Sequence, residues 1–271
     1  MIVPVHNAVA ELEACLESVY RTTPRDCEVL LLDDASDDAR TQPLLRSWVG
    51  RAGQAWRLEI QVKNLGFVGT VNRGMEMTTG DVVLLNSDTV ATPGWYEGLR
   101  RCLRQDPDIA TATPWTNNGE IASIGGMCQS LAVPADPDKV ASVIQSTGSP
   151  VYPDIPTAVG FCMAVSRRAI QMLGVFDQEL FGLGYGEEND FSMRAREAGL
   201  KNVLCDDVFV AHVGGRSFEP RGLRPDEHSM SRLLSRHPEY HKLVHEFIAT
   251  DPLSARRNEL LAALHDAGLM T

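Results

Sequence analysis

Over the first hundred residues, short unbroken aliphatic blocks alternate with segments whose apolar residues recur every three to four positions. Continuous blocks of this length fit strands buried on both faces, and the three-to-four spacing fits amphipathic helices. Residues 2–5 form the first block, and residues 11–20 follow with Leu12, Cys15, Leu16 and Val19 on one helical face. The next block, 29–32, is succeeded by a helical stretch at 44–49, an alternating strand at 58–62 and a helix at 70–77. Thr79-Gly80 then stops that helix, residues 82–85 form a fourth block, and Pro93-Gly94-Trp95 opens a helix reaching Leu103. Strict strand–helix alternation predicts an α/β fold: a mainly parallel sheet flanked by helices and joined by right-handed crossovers.

From Ile109 onward the pattern loosens. Residues 123–156 are rich in Gly, Ser and Pro and read as long loops around one helix at 140–145. Order returns with a strand at 158–165, a helix at 167–173, and short strands at 203–205 and 208–210. Between them glycines at 182, 184 and 186 precede Glu187-Glu188-Asn189-Asp190, which opens a helix through Ala198. They follow no first strand, so they are not a dinucleotide fingerprint. Beyond Pro225 the chain reads as helical, with Leu233, Leu234, Leu243, Val244 and Phe247 inward.

Composition narrows the function classes. A net charge of -11 over 271 residues argues against a nucleic-acid partner, which would meet a basic face. No apolar run reaches the roughly 18 residues that span a bilayer. The six cysteines include no Cys-x-x-Cys pair and no secretory leader precedes them, an expectation of a reducing cytoplasm, free or peripheral to the membrane. The chain begins inside a strand, which fits a trimmed piece of a larger parent with further domains.

The candidate chemistry sits where apolar blocks end. Val82-Val83-Leu84-Leu85 stops on Asn86-Ser87-Asp88, and Val29-Leu30-Leu31-Leu32 stops on Asp33-Asp34. In open α/β sheets, ligands bind beyond the carboxyl ends of the strands, so these carboxylates are candidates for holding a metal or a substrate; alone, each also fits an ordinary turn. Together with Pro4-Val5-His6-Asn7, Asn64-Leu65-Gly66-Phe67, Asn72-Arg73-Gly74 and Gly186-Glu187-Glu188-Asn189-Asp190, the succession over about residues 1–218 resembles glycosyltransferase family 2, including its bacterial rhamnosyltransferase-like members.

That resemblance implies a GT-A fold with residues 1–110 binding a nucleotide-diphosphate sugar, 111–218 forming the acceptor and catalytic-base half, and 219–271 a C-terminal helical appendage or connector. It implies inverting, metal-dependent transfer to an acceptor hydroxyl of a glycan, lipid-linked or protein acceptor. Asn86-Ser87-Asp88 stands where the family has Asp-x-Asp, leaving Asp88 as the direct ligand of Mn²⁺ or Mg²⁺, with His212 as a further metal or diphosphate ligand. Pro4, His6, Asn7, Asp33, Asp34, Asn64, Gly66, Asn86 and Ser87 would line the nucleotide sugar; which of Asp33 and Asp34 meets the base stays open. Glu188 occupies the position of the base, where the family usually has Asp, and Glu187 would point about 100° away around the helix. Asp190 would belong to the substrate site, orient a neighbour or cap its helix. Trp115, with Asn117 and Asn118, would stack on and bond to the acceptor sugar. Two other classes fit parts of the pattern. A sugar nucleotidyltransferase would carry a Gly-rich basic loop where Val5-His6-Asn7-Ala8 stands; a non-catalytic nucleotide-sugar or glycan-binding module would bind without turnover.

Overall fold

Residues 1–182, 184–214 and 227–269 are described by the computed structural model. The first half follows the alternation: β1 (Ile2–Val5), α1 (Val9–Thr22), β2 (Val29–Asp33), α2 (Thr41–Ala52), β3 (Trp56–Ile60), α3 (Gly66–Glu76), β4 (Val82–Leu85), β5 (Thr89–Val90) and α4 (Trp95–Gln105). The second half adds β6 (Ile109–Trp115), α5 (Pro137–Ser146), β7 (Cys162–Val165), α6 (Arg167–Leu173), α7 (Gln178–Phe181), α8 (Glu187–Glu197), β8 (Lys201–Phe209) and β9 (Ala211–His212), then α9 (Glu227–Arg236), α10 (Tyr240–Thr250) and α11 (Ser254–Asp266).

The main sheet runs β3-β2-β1-β4-β7-β6-β8. β1 to β4 are mutually parallel, β7 lies antiparallel to both its neighbours, and β6 and β8 are parallel. Successive strand residues face opposite sides of the sheet. Val29 and Leu31 join the core under α1, α2 and α4, whereas Leu30 and Leu32 join the one under α3, α6 and α8. Within the Asn72-Arg73-Gly74 segment, a Cβ on Gly74 would come within 2.8 Å of Ile2 and 2.9 Å of Leu32, so glycine lets α3 lie directly on the sheet. Asn72 beside it exchanges two hydrogen bonds with the Phe176 backbone, at 2.8 and 3.0 Å.

Three expectations change. The loosened pattern at Ile109 conceals β6, all of whose residues are buried; Thr111, Thr113 and Pro114 break the aliphatic run but are covered on both faces. The short strands at 203–205 and 208–210 are one strand, β8. Asp206 and Asp207, which look like an interruption, are absorbed by Arg256 of α11 at 3.0 Å and by Arg101 of α4. At the opposite edge β3 begins and ends two residues earlier than 58–62, leaving Val62 outside it and exposed.

The C-terminal helices pack into these cores. Leu233 and Tyr240 enter the core under α8, and Leu253, Leu260 and Leu264 close a third core with Trp115 and α5. No described helix is long and apolar enough to cross a membrane, and all six cysteines are unpaired.

Candidate functional site

The turn after β4 is tied down on both sides. The Asn86 amide N–H donates to the Phe161 carbonyl at 2.9 Å, and the Thr89 hydroxyl donates to the Asn86 carbonyl at 2.7 Å. One residue beyond Asp88 the chain forms β5, which pairs antiparallel with β9 so that Thr89 lies opposite His212. The Val213 amide then donates to the Asp88 carbonyl at 3.0 Å. This small ribbon brings together two residues 124 positions apart in sequence, with His212 Nε2 3.5 Å from Asp88 Oδ1.

Both side chains are held in place. Asp88 and Ser87 are buried, while Asn86 is half-buried at the edge of the turn. His212 Nδ1 lies 2.6 Å from the Asn118 carbonyl, to which it must donate, so Nε2 is the ring nitrogen left to face Asp88. Asn117 brackets the His212 backbone, accepting from its N–H and donating to its carbonyl, both at 2.9 Å. Burial pulls the His212 pKa down, but the Asp88 carboxylate and the Asn118 carbonyl outweigh it and leave the ring more basic than usual. A neutral imidazole nitrogen and a carboxylate oxygen at this separation fit a divalent ion that keeps part of its shell for water and phosphate oxygens. Gly214 closes the arrangement: at φ 83° with Asn118 Nδ2 2.2 Å from any Cβ, it admits no other residue without moving Asn118.

The loops after β1 and β2 form the neighbouring edge. Pro4 is half-buried within β1. His6 Nδ1 faces the Asp34 carbonyl at 3.1 Å, and the Asn64 side-chain amide donates to the same carbonyl at 2.9 Å. Asn7, at φ 57°, accepts from the Asp37 and Asp38 amides and donates to the Asp37 carboxylate at 2.7 Å. The two aspartates separate. Asp34 takes the Leu65 and Gly66 amides on its two oxygens, at 2.6 and 3.0 Å, and so pins the start of α3. Asp33 accepts the Ser36 amide on Oδ1, whereas its buried Oδ2 has no partner among the described residues.

α8 starts at Glu187 behind Gly186, whose φ of 103° suits glycine. Glu187 turns inward, with burial and then the charge of Glu188 driving its pKa well above the ordinary value. Glu188 turns into a cavity of about 370 Å³ that it shares with Glu120, Thr157, Asn189 and the tail helices α9 and α10. Burial raises its pKa too, with a smaller contribution from Glu120, against the lowering effect of nearby backbone N–H groups.

Two short backbone segments connect this cavity to Asp88 and His212. Gly160 lies against Glu188, where a Cβ would be 3.8 Å from Cγ, while Phe161 stacks on His212 at 5.2 Å between ring centroids. Asn118 holds His212 and Glu120 lines the cavity. Consecutive Cα atoms lie about 3.8 Å apart, so the two centres are neighbours along one edge of the sheet.

Two expected site residues lie elsewhere. The Trp115 side chain is wholly buried in the third core beneath Arg257, 5.4 Å from the ring centroid, and presents no face to a sugar. Asn117 and Asn118 hold the His212 segment in place. Asp190 is also fully buried, at 2.8 Å from Arg194 Nε, 2.9 Å from His237 Nε2 and 3.2 Å from Arg236 Nη1. It anchors the tail to α8 and does not face the nucleotide edge. Asp190→Ala would leave Arg194, only 15% exposed, and the buried His237 without their shared partner, and an unfolding free energy about 3–5 kcal/mol lower is expected in guanidinium titration. Glu120, Gly160, Phe161 and Tyr240 were missed, since nothing in their local sequence marks them. Glu120 alone carries a structural mark, a φ of 49° at a non-glycine residue.

Comparisons with known proteins bear on the fold and the family. The family model described as Glycosyl transferase family 2 matches residues 1–174, which is more than half the chain. Polypeptide N-acetylgalactosaminyltransferase 4 of Mus musculus is 28% identical over 236 residues, 79% of this chain but 39% of that protein. An uncharacterized glycosyltransferase, YibD of Escherichia coli (strain K12), is 30% identical over 112 residues, 41% of this chain and 32% of its own. The chain thus spans well under half the length of these curated relatives. Among solved structures, GalNAc-T7 with UDP, GalNAc and Mn²⁺ superimposes with a TM-score of 0.66 at 15% identity, over 100% of this chain and 55% of that one. The mannosyltransferase PcManGT from Pyrobaculum calidifontis, in complex with GDP-Man and Mn²⁺, does so at 0.57 and 16% identity, over 98% and 74%. These likenesses establish the fold, mostly parallel sheet and flanking helices included. By its motifs, its sheet and the match over residues 1–174, the chain belongs to glycosyl transferase family 2.

Proposed function

We propose that this chain is a metal-dependent inverting glycosyltransferase that moves a sugar from a nucleotide diphosphate to an acceptor hydroxyl. The carrying observation is the adjacency of an oriented carboxylate–imidazole pair, Asp88 and His212, to an inward-facing carboxylate of raised pKa, Glu188. Asp88 Oδ1 and His212 Nε2 would hold Mn²⁺ or Mg²⁺. Such an ion stabilises the negative charge that develops on the departing diphosphate. In an acidic protein no large basic surface is needed for that task.

The remaining work falls to the chain itself. His6, Asn7, Asn64 and Gly66 would line the nucleoside, with Pro4, Asn86 and Ser87 shaping the floor. Asp34, whose carboxylate ties down the start of α3, keeps a little solvent contact, whereas Asp33 keeps none; Asp34 is the better candidate to meet the base. Glu188 would accept the proton of the attacking hydroxyl as the new bond forms opposite the diphosphate. Its raised pKa makes it a stronger base than an ordinary carboxylate. The structural neighbours carrying UDP or GDP-Man with Mn²⁺ support this choice of donor. A cytoplasmic setting agrees with six unpaired cysteines.

The test is a panel of nucleotide sugars with Mn²⁺, followed by proton NMR of the product. The expected anomeric configuration is opposite to that of the donor; a retained configuration would remove Glu188 from the role of base. Nucleotide-sugar binding with no release of nucleoside diphosphate would favour the non-catalytic module.

A further inference from the structure

We propose that the acceptor carries an uncharged hydrocarbon group beside its reacting hydroxyl, and that helices α9 and α10 form the wall that receives it. This rests on the reading of Glu188 as the base and specifies what that base acts upon. The cavity of about 370 Å³ has its carboxylates beside the Gly160 and Asn118 segments. Glu188, Asn189, Thr157 and Glu120 stand there, at the side adjoining His212. Most of the remaining lining is apolar, with Ile121, Met230, Leu233, Val244 and Ile248 and the ring of Tyr240, against which Ser229 of α9 and Tyr185 are the polar exceptions.

The wall is graded in depth. Leu233 is 1% exposed and Tyr240 8%, so the floor is dry, whereas Ile248 at 39% stands open to solvent. A saccharide lying on this wall would leave its hydroxyls without partners, a costly desolvation. A hydrocarbon there loses only water. Each methylene that enters should tighten binding about 4-fold. The paired carboxylates Glu120 and Glu188 also disfavour an anionic group at the polar end. The occupant is therefore an alkyl or aryl aglycone attached to a hydroxyl-bearing head. The family match ends at residue 174, before any of these tail residues.

The test uses the full chain with ¹³C-methyl methionine, in UDP and Mn²⁺, titrated with methyl β-glucoside and with n-octyl β-glucoside below its micelle concentration. Expected is a shift of the Met230 methyl resonance with octyl glucoside, at an affinity at least about 10-fold above that of the methyl glycoside, as entry of two methylenes already requires. Ile248→Asp should abolish the preference, and the milder Ile248→Ala should reduce it. Glu188→Gln should keep the octyl preference while losing turnover, so failure of the catalytic reading and failure of the pocket are separate results. Equal affinities, an unmoved Met230 resonance, or an octyl preference that survives Ile248→Asp would each overturn the proposal.

Discussion

Asp88→Ala is expected to remove metal-dependent sugar transfer, with a loss in kcat of at least about 10³-fold, equivalent to several kcal/mol of charge stabilisation. The size follows from how few protein ligands are available. Asn86 stands where the family's motif has its first carboxylate, and among the described residues the ribbon formed by β5 and β9 brings His212 alongside Asp88. With the carboxylate gone, the His212 imidazole alone among the described residues would remain to hold the ion. Release of nucleoside diphosphate across a Mn²⁺ titration reads the effect, with unfolding temperature as a control on the buried site. Wild-type turnover in this variant, or turnover unaffected by a chelator, would sink the metal assignment. His212→Ala should cost less, because the carboxylate remains.

Glu188→Gln is the second large effect: kcat should fall about 10²–10⁴-fold, with nucleotide affinity little changed, since the amide keeps the shape but cannot take the proton. The pH profile separates this from a packing defect. A base works only when ionised, so the rate should rise with pH through the Glu188 pKa. That pKa is raised by burial and by Glu120, so the acid limb should lie above the usual carboxylate range of about 4.3 and vanish in the variant. Glu188→Asp restores the residue the family commonly carries and should retain part of the rate. Unchanged kcat in Glu188→Gln would move the base elsewhere.

Much of this site is written locally. An aliphatic block must be buried, and the first polar residues after it must emerge at the sheet edge; hence Asp33, Asp34 and Asp88 could be read as edge residues. Glu188 was singled out by the resemblance to the family, since an acidic helix start is by itself an ordinary macrodipole arrangement. Reading failed where burial depended on distant partners. Trp115 resembled a binding aromatic because its neighbours are polar, yet α5 and α11 cover it. Asp190 resembled a site carboxylate because two of its partners, Arg236 and His237, arrive from the far end of the chain.

By itself, then, the sequence determined the strand–helix alternation, the polar strand ends and the family, since each rests on periodicity or on residues adjacent in the chain. Only the tertiary structure decided which of those polar groups share a site. β7 runs antiparallel, and Gly160 and Phe161 just before it lie between Glu188 and His212. β9 returns beside β5 to set His212 against Asp88. α9 and α10 fold back to wall the cavity beside Glu188. Such contacts join residues tens to more than a hundred positions apart, and they are selected by the burial of whole faces, which no local pattern encodes.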